Sequence, residues 1–260
     1  MVLSIVPNAN SRVSRDPGSA PSLTGDASYG GEIFYNQNSA NGQYEVPFQV
    51  WGTGINLTYM ELYRAPPNAG GGAGDVPNHL YLFYRAAGNV ETVIDLGDSA
   101  ALYGKWIHFA WVQTAADTAS FYAAVAGYNQ SSPTYLISPS LGGIMNASDR
   151  IQAGAEKADG GTVSLTTSLA RVWATEAALT ESQISGPGGV WTQYAPTAAM
   201  SAQDYLFLAC DDQADPGKDT GNPGTDWAVT GTWSAGQASW PSEWLAGSNG
   251  LFMGNPTLLF

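Results

Sequence analysis

The chain has 260 residues, 44% of them apolar, enough for one large all-β domain or two small ones. Only 12% are charged, and the net charge is −13, from 22 acids against nine bases, a field that disfavours nucleic acid and anionic membrane as partners. No apolar run approaches the ~18 residues a spanning helix needs, and the single cysteine, Cys210, excludes an intrachain disulfide.

Residues 1–21 carry three prolines and no periodic pattern, and read as an N-terminal arm without the basic start and apolar core of a signal peptide. Then come short runs with strand chemistry separated by turn residues. In order they are "GGEIFYNQ", "YEVPFQVWG" and "INLTYMELYR", followed by the Pro/Gly loop "APPNAGGGAGDVPN". "HLYLFYRA" and "NVETVIDLG" form a hairpin across "AAG". "KWIHFAWVQ", "ASFYAAVAGY", "TYLIS", "DRIQAGA" and "TVSLTTSLARVWAT" continue the series, and "QDYLFLACD" and "DWAVTGTWS" close it. Only "LTESQIS" reads clearly as helix, with Thr180 as cap and Gln183 three residues on as its capping-box partner. "VWTQYAPTAAMSAQ" could add a second turn of helix. Many short strands with Gly-rich turns predict an all-β, antiparallel two-sheet sandwich with one short helix near 180–186.

The strand at 106–112 is bulky on both faces. Trp106, His108, Ala110 and Val112 alternate with Ile107, Phe109 and Trp111, whereas a surface strand should be polar on one side. The segment 236–260 holds Trp240, Trp244, Phe252 and Phe260 among other large apolar residues, with Glu243 its one charge. Left in water it would be an aggregation hazard, so it must dock on this chain or on another.

From Lys105 to Ile184 the order of features resembles the laminin-G-like, concanavalin-A-like jelly-roll family. The residues that carry the resemblance are Trp106, His108, Ala110 and Val112, then Phe121, Tyr122 and Gly127, then Ile151 and Gly154. Arg171-Val172-Trp173 runs into Leu179, Thr180, Gln183 and Ile184, and "DTGNPGTDWAVTGTWSAG" resembles the family's closing strand. The resemblance implies a jelly roll over residues 22–235, flanked by the arm and the apolar tail. In that fold Trp106, Ala110 and Val112 suit the inner face, with His108 a core histidine that needs a partner. Ile107, Phe109 and Trp111 then point outward, and with Trp240, Trp244, Phe252 and Phe260 they are the expected interface, led by Phe109 and Trp111.

Relatives that cleave glucans use a Glu-x-Asp-x-x-Glu cluster, and a retaining glycosidase needs two carboxylates about 5 Å apart. No such cluster occurs here; Glu91 and Asp95 share a strand face and read as a solvated pair. No catalytic residue is therefore expected, and a glycan hydrolase is the weakest reading. The loop with Asp211, Asp212, Asp215 and Asp219 offers oxygens suited to calcium; the alternative is a solvated Asp/Gly turn. Tyr59, Glu61 and Tyr63 share one strand face and form the best local set for a glycan, with rings for sugar faces and a carboxylate for hydroxyls.

Together these features predict a non-catalytic structural or adhesion protein of a multi-subunit assembly. Similar modules occur in bacteriophage particles, which suggests a virion surface component, as capsid decoration or tail fibre. Its partners would be copies of itself or other virion subunits, and a cell-surface glycan. The alternative is an extracellular, lectin-like carbohydrate-binding module.

Overall fold

The computed structural model describes residues 5–7, 12–15, 25–35, 44–51, 59–65, 75–86, 90–98, 104–114, 118–125, 134–135, 150–154, 167–185, 200, 205–208, 214–221 and 226–235. Their strands form two antiparallel sheets with one short helix, an all-β sandwich. The eight-stranded sheet runs β10 (Thr134–Tyr135), β9 (Thr118–Val125), β8 (Trp106–Thr114), β3 (Ala27–Tyr35), β12 (Thr167–Thr175), β1 (Ile5–Pro7) and β15 (Trp233–Ala235), with β13 (Tyr205–Leu208) also on β12. The seven-stranded sheet runs β14 (Ala228–Thr230), β2 (Arg12–Arg15), β11 (Arg150–Gly154), β4 (Glu45–Trp51), β5 (Tyr59–Arg64), β6 (His79–Ala86) and β7 (Val90–Asp98).

Alternation along each strand sends one set of side chains between the sheets. Phe48, Val50, Leu62, Leu82 and Tyr84 come from the seven-stranded sheet; Ile33, Ile107, Phe109, Trp111 and Phe121 come from the other. The layers interlock through tilted ring pairs, Phe48 with Phe109 and Tyr84 with Trp111, each with centroids 5.3 Å apart. Buried Gln113 ties this core to the chain entering β3. Its Oε1 accepts from the Tyr29 hydroxyl at 3.1 Å, and its Nε2 donates to the Gly25 carbonyl at 2.9 Å.

The two faces of β8 are the reverse of the sequence expectation. Phe109 and Trp111 are 1% and 0% exposed in the inter-sheet core, with no surface left for a partner. Ala110 and Val112 face outward, and the chain's own next segment covers them: Leu179, Ile184 and Met200 pack there with Trp173 and Ala124. Volume explains the assignment. The larger triad fills the gap between sheets, while the small outer residues leave room for helix α1 (Glu181–Ile184) to approach. Ser28 fastens that cover, its hydroxyl donating to the Ala177 carbonyl at 2.6 Å and accepting from the Leu179 amide at 2.9 Å. At the helix start the Gln183 side chain accepts the Thr180 amide at 2.8 Å, as the sequence predicts. The other expected interface residues, Trp240, Trp244, Phe252 and Phe260, lie outside the described residues.

The stretch read as an arm also differs. Within it β1 pairs with β12 and β15, and β2 pairs with β11 and β14, so both are members of the sheets. Runs of three and four residues are too short to show a period, which is why the sequence does not announce them.

A bulge in β12 prepares one further feature. The register slips between Ala170 and Trp173, so Leu169 faces inward on one side of it and Val172 and Ala174 on the other. Arg171, at the slip, takes a left-handed backbone (φ 45°) and reaches Glu32 on β3 through two hydrogen bonds, Nη2 to Oε1 at 2.7 Å and Nε to Oε2 at 3.2 Å.

Candidate functional site

The outer face of the seven-stranded sheet carries the best-formed cluster of binding chemistry. Leu62 points into the core, so Glu61 and Tyr63 on either side of it point outward. Tyr59 begins β5 opposite Trp51 and Arg85, but its side chain lies outside the described residues. Across the strands Glu61 falls in register with Gln49 on one side and Phe83 on the other. The same line continues to Gln152 and Ser14 in one direction and to Val93 in the other. Ser14, Gln152, Gln49 and Glu61 are all buried, so two amides, a carboxylate and a hydroxyl lie side by side with little water.

Beside this polar row stands a tyrosine ladder. Tyr63 stacks on Tyr81 with centroids 5.2 Å apart and planes 23° from parallel, and Tyr44 meets Tyr63 edge-on at 5.7 Å. Val46 and Ala65 pack between them, with Phe83 at the margin. Asp75, at the end of the Pro/Gly loop, holds the ladder from above. Its two oxygens accept from the Tyr44 and Tyr63 hydroxyls, each at 3.1 Å, while the Val76 amide donates to the Tyr81 hydroxyl at 2.7 Å. Burial, reinforced by the Asp75 carboxylate, pushes the Tyr63 and Tyr44 hydroxyls above their ordinary range, so both stay protonated donors. Burial raises Tyr81 as well, against the Val76 hydrogen bond.

Water reaches the rim of this cluster. Val76 and Val93 are 44% and 49% exposed, and Tyr44 and Phe83 are half-buried. On the same rim His79 Nδ1 sits 2.8 Å from Asp95 Oδ2, and Asp95 Oδ1 accepts the Gly97 amide at 2.8 Å. Asp95 is thus tied to a histidine and a turn, and the backbone of Glu91 aligns with Arg85 in the β6–β7 register.

Among the described residues of the aspartate loop, Asp219 serves the fold. Asp219 is buried, and N–H groups occupy its oxygens: Oδ1 accepts the Phe207 and Gly221 amides at 2.9 and 2.7 Å, and Oδ2 accepts the Trp227 indole at 3.1 Å. The Asp226 carboxylate in turn accepts the Asp219 amide at 3.2 Å. Asp219 staples β13 to the closing segment, so it is corrected from metal ligand to structural acceptor. Asp215 is exposed, and Asp211 and Asp212 lie outside the described residues, as does Cys210. Among the described residues no three His, Cys, Asp or Glu side chains are grouped to hold a metal, and no helix is long and apolar enough to cross a membrane.

Sequence reasoning found Glu61 and Tyr63 but did not single out Gln49, Gln152, Tyr44 or Asp75. The two glutamines have a signal: each sits at the outward position between apolar neighbours, in "FQV" and "IQA". Asp75 has none, because a Pro/Gly loop does not reveal which of its residues folds back.

No protein-family model matches the sequence, and no curated protein matches it. Solved structures with a similar outline include the binding domain of Paraclostridial Mosquitocidal Protein 1, at 12% identity and a TM-score of 0.45, covering 69% of this chain and 41% of that one. The chain therefore spans about two fifths of that toxin chain. Scytalido-glutamic peptidase with a transition state analog inhibitor matches at 11% identity and a TM-score of 0.31, over 68% of this chain and 84% of its own. The same peptidase with a peptide-based transition state analog matches at 10% and 0.30, over 88% and 97%. All three scores lie below 0.5, too low to carry any statement about family, ligand or activity.

Proposed function

We propose that the chain is a laminin-G-like, non-catalytic adhesion module that binds a glycan on the outer face of its seven-stranded sheet. One observation supports this reading above the others: the Tyr44–Tyr63–Tyr81 ladder, pinned by Asp75, borders the buried row Gln152–Gln49–Glu61 and opens to water along one rim. Sugars present C–H faces that pack on rings and hydroxyls that exchange with amides and carboxylates. Tyr44 and Phe83, which water reaches, are the contact residues; the buried row behind them fixes their orientation. A glycan array followed by calorimetry tests it. At least one neutral oligosaccharide class is expected to bind with Kd in the roughly micromolar to millimolar range, and Tyr44→Ala or Phe83→Ala to weaken it about tenfold. Silence across the array, or binding that ignores both variants, rejects the reading. Cleavage of a bound oligosaccharide would favour a hydrolase instead.

The setting we propose is an assembled particle, a phage virion surface, with copies of this chain or other virion subunits as neighbours. What favours it is the segment 236–260, which holds Trp240, Trp244, Phe252 and Phe260 with Glu243 its one charge, on a chain with only 12% charged residues. The two-faced strand β8 no longer adds to it, since α1 covers that face from within the chain. Native mass spectrometry of the full chain is expected to give an oligomer that falls to monomer when residues 236–260 are removed. A monomer in both cases rejects the assembly.

A further inference from the structure

Asp75 brings a negative charge to the tyrosine ladder, and among the described residues no cation pairs with it. The carboxylate is half-buried, and each oxygen accepts one hydroxyl, from Tyr44 or from Tyr63, at 3.1 Å. A carboxylate has about four acceptor positions, so two hydroxyls leave room for a further donor. The described basic side chains of the adjoining strands are engaged elsewhere: Arg64 of β5 holds Glu45 at 2.7 Å, and His79 of β6 holds Asp95 at 2.8 Å. The charge reaches the rings. Beyond burial, the Asp75 and Glu61 carboxylates raise the Tyr63 hydroxyl, and those of Asp95 and Asp75 raise the Tyr81 hydroxyl. Tyrosine faces are themselves negative and attract cations. Tyr44 is half-buried and hydrogen-bonded to Asp75, so one ligand group can touch ring and carboxylate together.

We propose that the site selects sugars that carry a free amine, with Asp75 and Tyr44 receiving the ammonium. This deepens the glycan reading above and rests on it. An ammonium donates to the remaining acceptor positions of Asp75 and lies against a tyrosine ring, two attractions that reinforce each other. N-acetylation removes the charge and leaves only the packing and hydroxyl contacts that any neutral sugar makes. A uronic acid brings a like charge toward Asp75, on a molecule of net charge −13. The order of preference is therefore amine-bearing, then neutral, with acidic sugars excluded.

The probes are a glucosamine oligomer, its fully N-acetylated counterpart, a galacturonate oligomer of the same length, and n-butylammonium. Each is titrated into the full chain by calorimetry at about pH 6, where amines keep their proton. The glucosamine oligomer is expected to bind at least about tenfold tighter than the acetylated one. The galacturonate oligomer is expected not to bind, and n-butylammonium to bind far more weakly than the glucosamine oligomer. Asp75→Asn is expected to bring the ratio between the first two close to one. That ratio separates selectivity from support: if Asp75 only holds the ladder, the variant weakens both oligomers equally, and the proposal is overturned. A ratio that survives Asp75→Asn overturns it too. Acetylated sugar binding as tightly as the free amine, or galacturonate binding at all, overturns the selectivity and leaves the glycan reading standing. If n-butylammonium matches the glucosamine oligomer, the sugar contributes nothing and the glycan reading falls with the proposal, as it does if all four are silent.

Discussion

Glu32→Gln is expected to abolish a loss of stability that the wild-type protein suffers between about pH 5 and pH 8. Glu32 is fully buried on β3, and burial pushes its carboxyl from 4.5 up to about 8, even with the Arg171 guanidinium pulling the other way at 2.7 Å. Burial likewise draws Arg171 below its ordinary value, so both partners resist the charge separation that the pair requires. A carboxyl raised in the folded state keeps its proton where the unfolded chain has lost it. The stabilisation is therefore full below about 4.5 and drains away as pH rises toward about 8, at up to about 1.4 kcal/mol per unit. Glutamine keeps an oxygen for Arg171 and titrates nowhere in this window. His108, buried, stands opposite Glu32 in the β3–β8 register and is present in both proteins. Melting temperatures from pH 4 to 9 read the outcome: the wild type should lose about 5 °C or more relative to the variant across the window, at about 2–4 °C per kcal/mol. If instead the variant is less stable at every pH by a constant amount, the pair is ionised throughout and the carboxyl is not held neutral.

That pair also marks where the sequence stops being legible. The strand series from "GGEIFYNQ" to "DWAVTGTWS" is readable because the runs are short, rich in β-branched and aromatic residues, and most are bounded by Gly, Pro, Asn or Asp, and the structure puts β3 to β15 on those runs. The helix at Glu181–Ile184 is readable because Thr180 and Gln183 have the spacing of a cap. The inward face of β8 is not readable by pattern, since both faces are apolar; only the volume each must fill decides it, and that depends on Phe48 and Tyr84 from the other sheet. Across β12 the parity of inward residues changes at the bulge, so a strict alternation sends Arg171 to the wrong face. Asp219 looks like any aspartate of a turn, because the donors that claim it, on Phe207, Gly221 and Trp227, are up to 12 positions away. In the candidate site Glu61 and Tyr63 are legible from one strand, but the row they belong to exists only once five strands are in register.

Gly30→Ala is expected to be the most damaging single methyl that can be added to the described core. Gly30 lies on β3 between Ala110 of β8 and Trp173 of β12. A Cβ there would sit 2.4 Å from the Phe109 carbonyl oxygen and 2.6 Å from Trp173 Cζ2. The indole lies across the bare backbone of Gly30, fully buried, and its N–H has no hydrogen-bond partner among the described residues. Trp173 in turn forms the floor on which Leu179, Ile184 and Met200 rest. Overpacking a close-packed site costs about 1–3 kcal/mol when side chains can shift; here one of the two clashing atoms is backbone of a paired strand, so a cost above about 3 kcal/mol is expected. Gly31→Ala is the control, because its nearest atoms, in Val172 and Arg171, are 3.2 to 3.4 Å away and a shift of a few tenths of an ångström accommodates the methyl. Urea titrations of both variants should separate them by at least about 2 kcal/mol. Adding Trp173→Phe to Gly30→Ala should not restore stability, because the Phe109 carbonyl stays where it is. A variant that loses so much stability that no folded baseline remains still gives the answer, provided Gly31→Ala folds. Should Gly30→Ala fall within about 1 kcal/mol of the wild type, the close approach of β3, β8 and Trp173 is wrong. The packing of α1 over the outer face of the eight-stranded sheet would then have no floor.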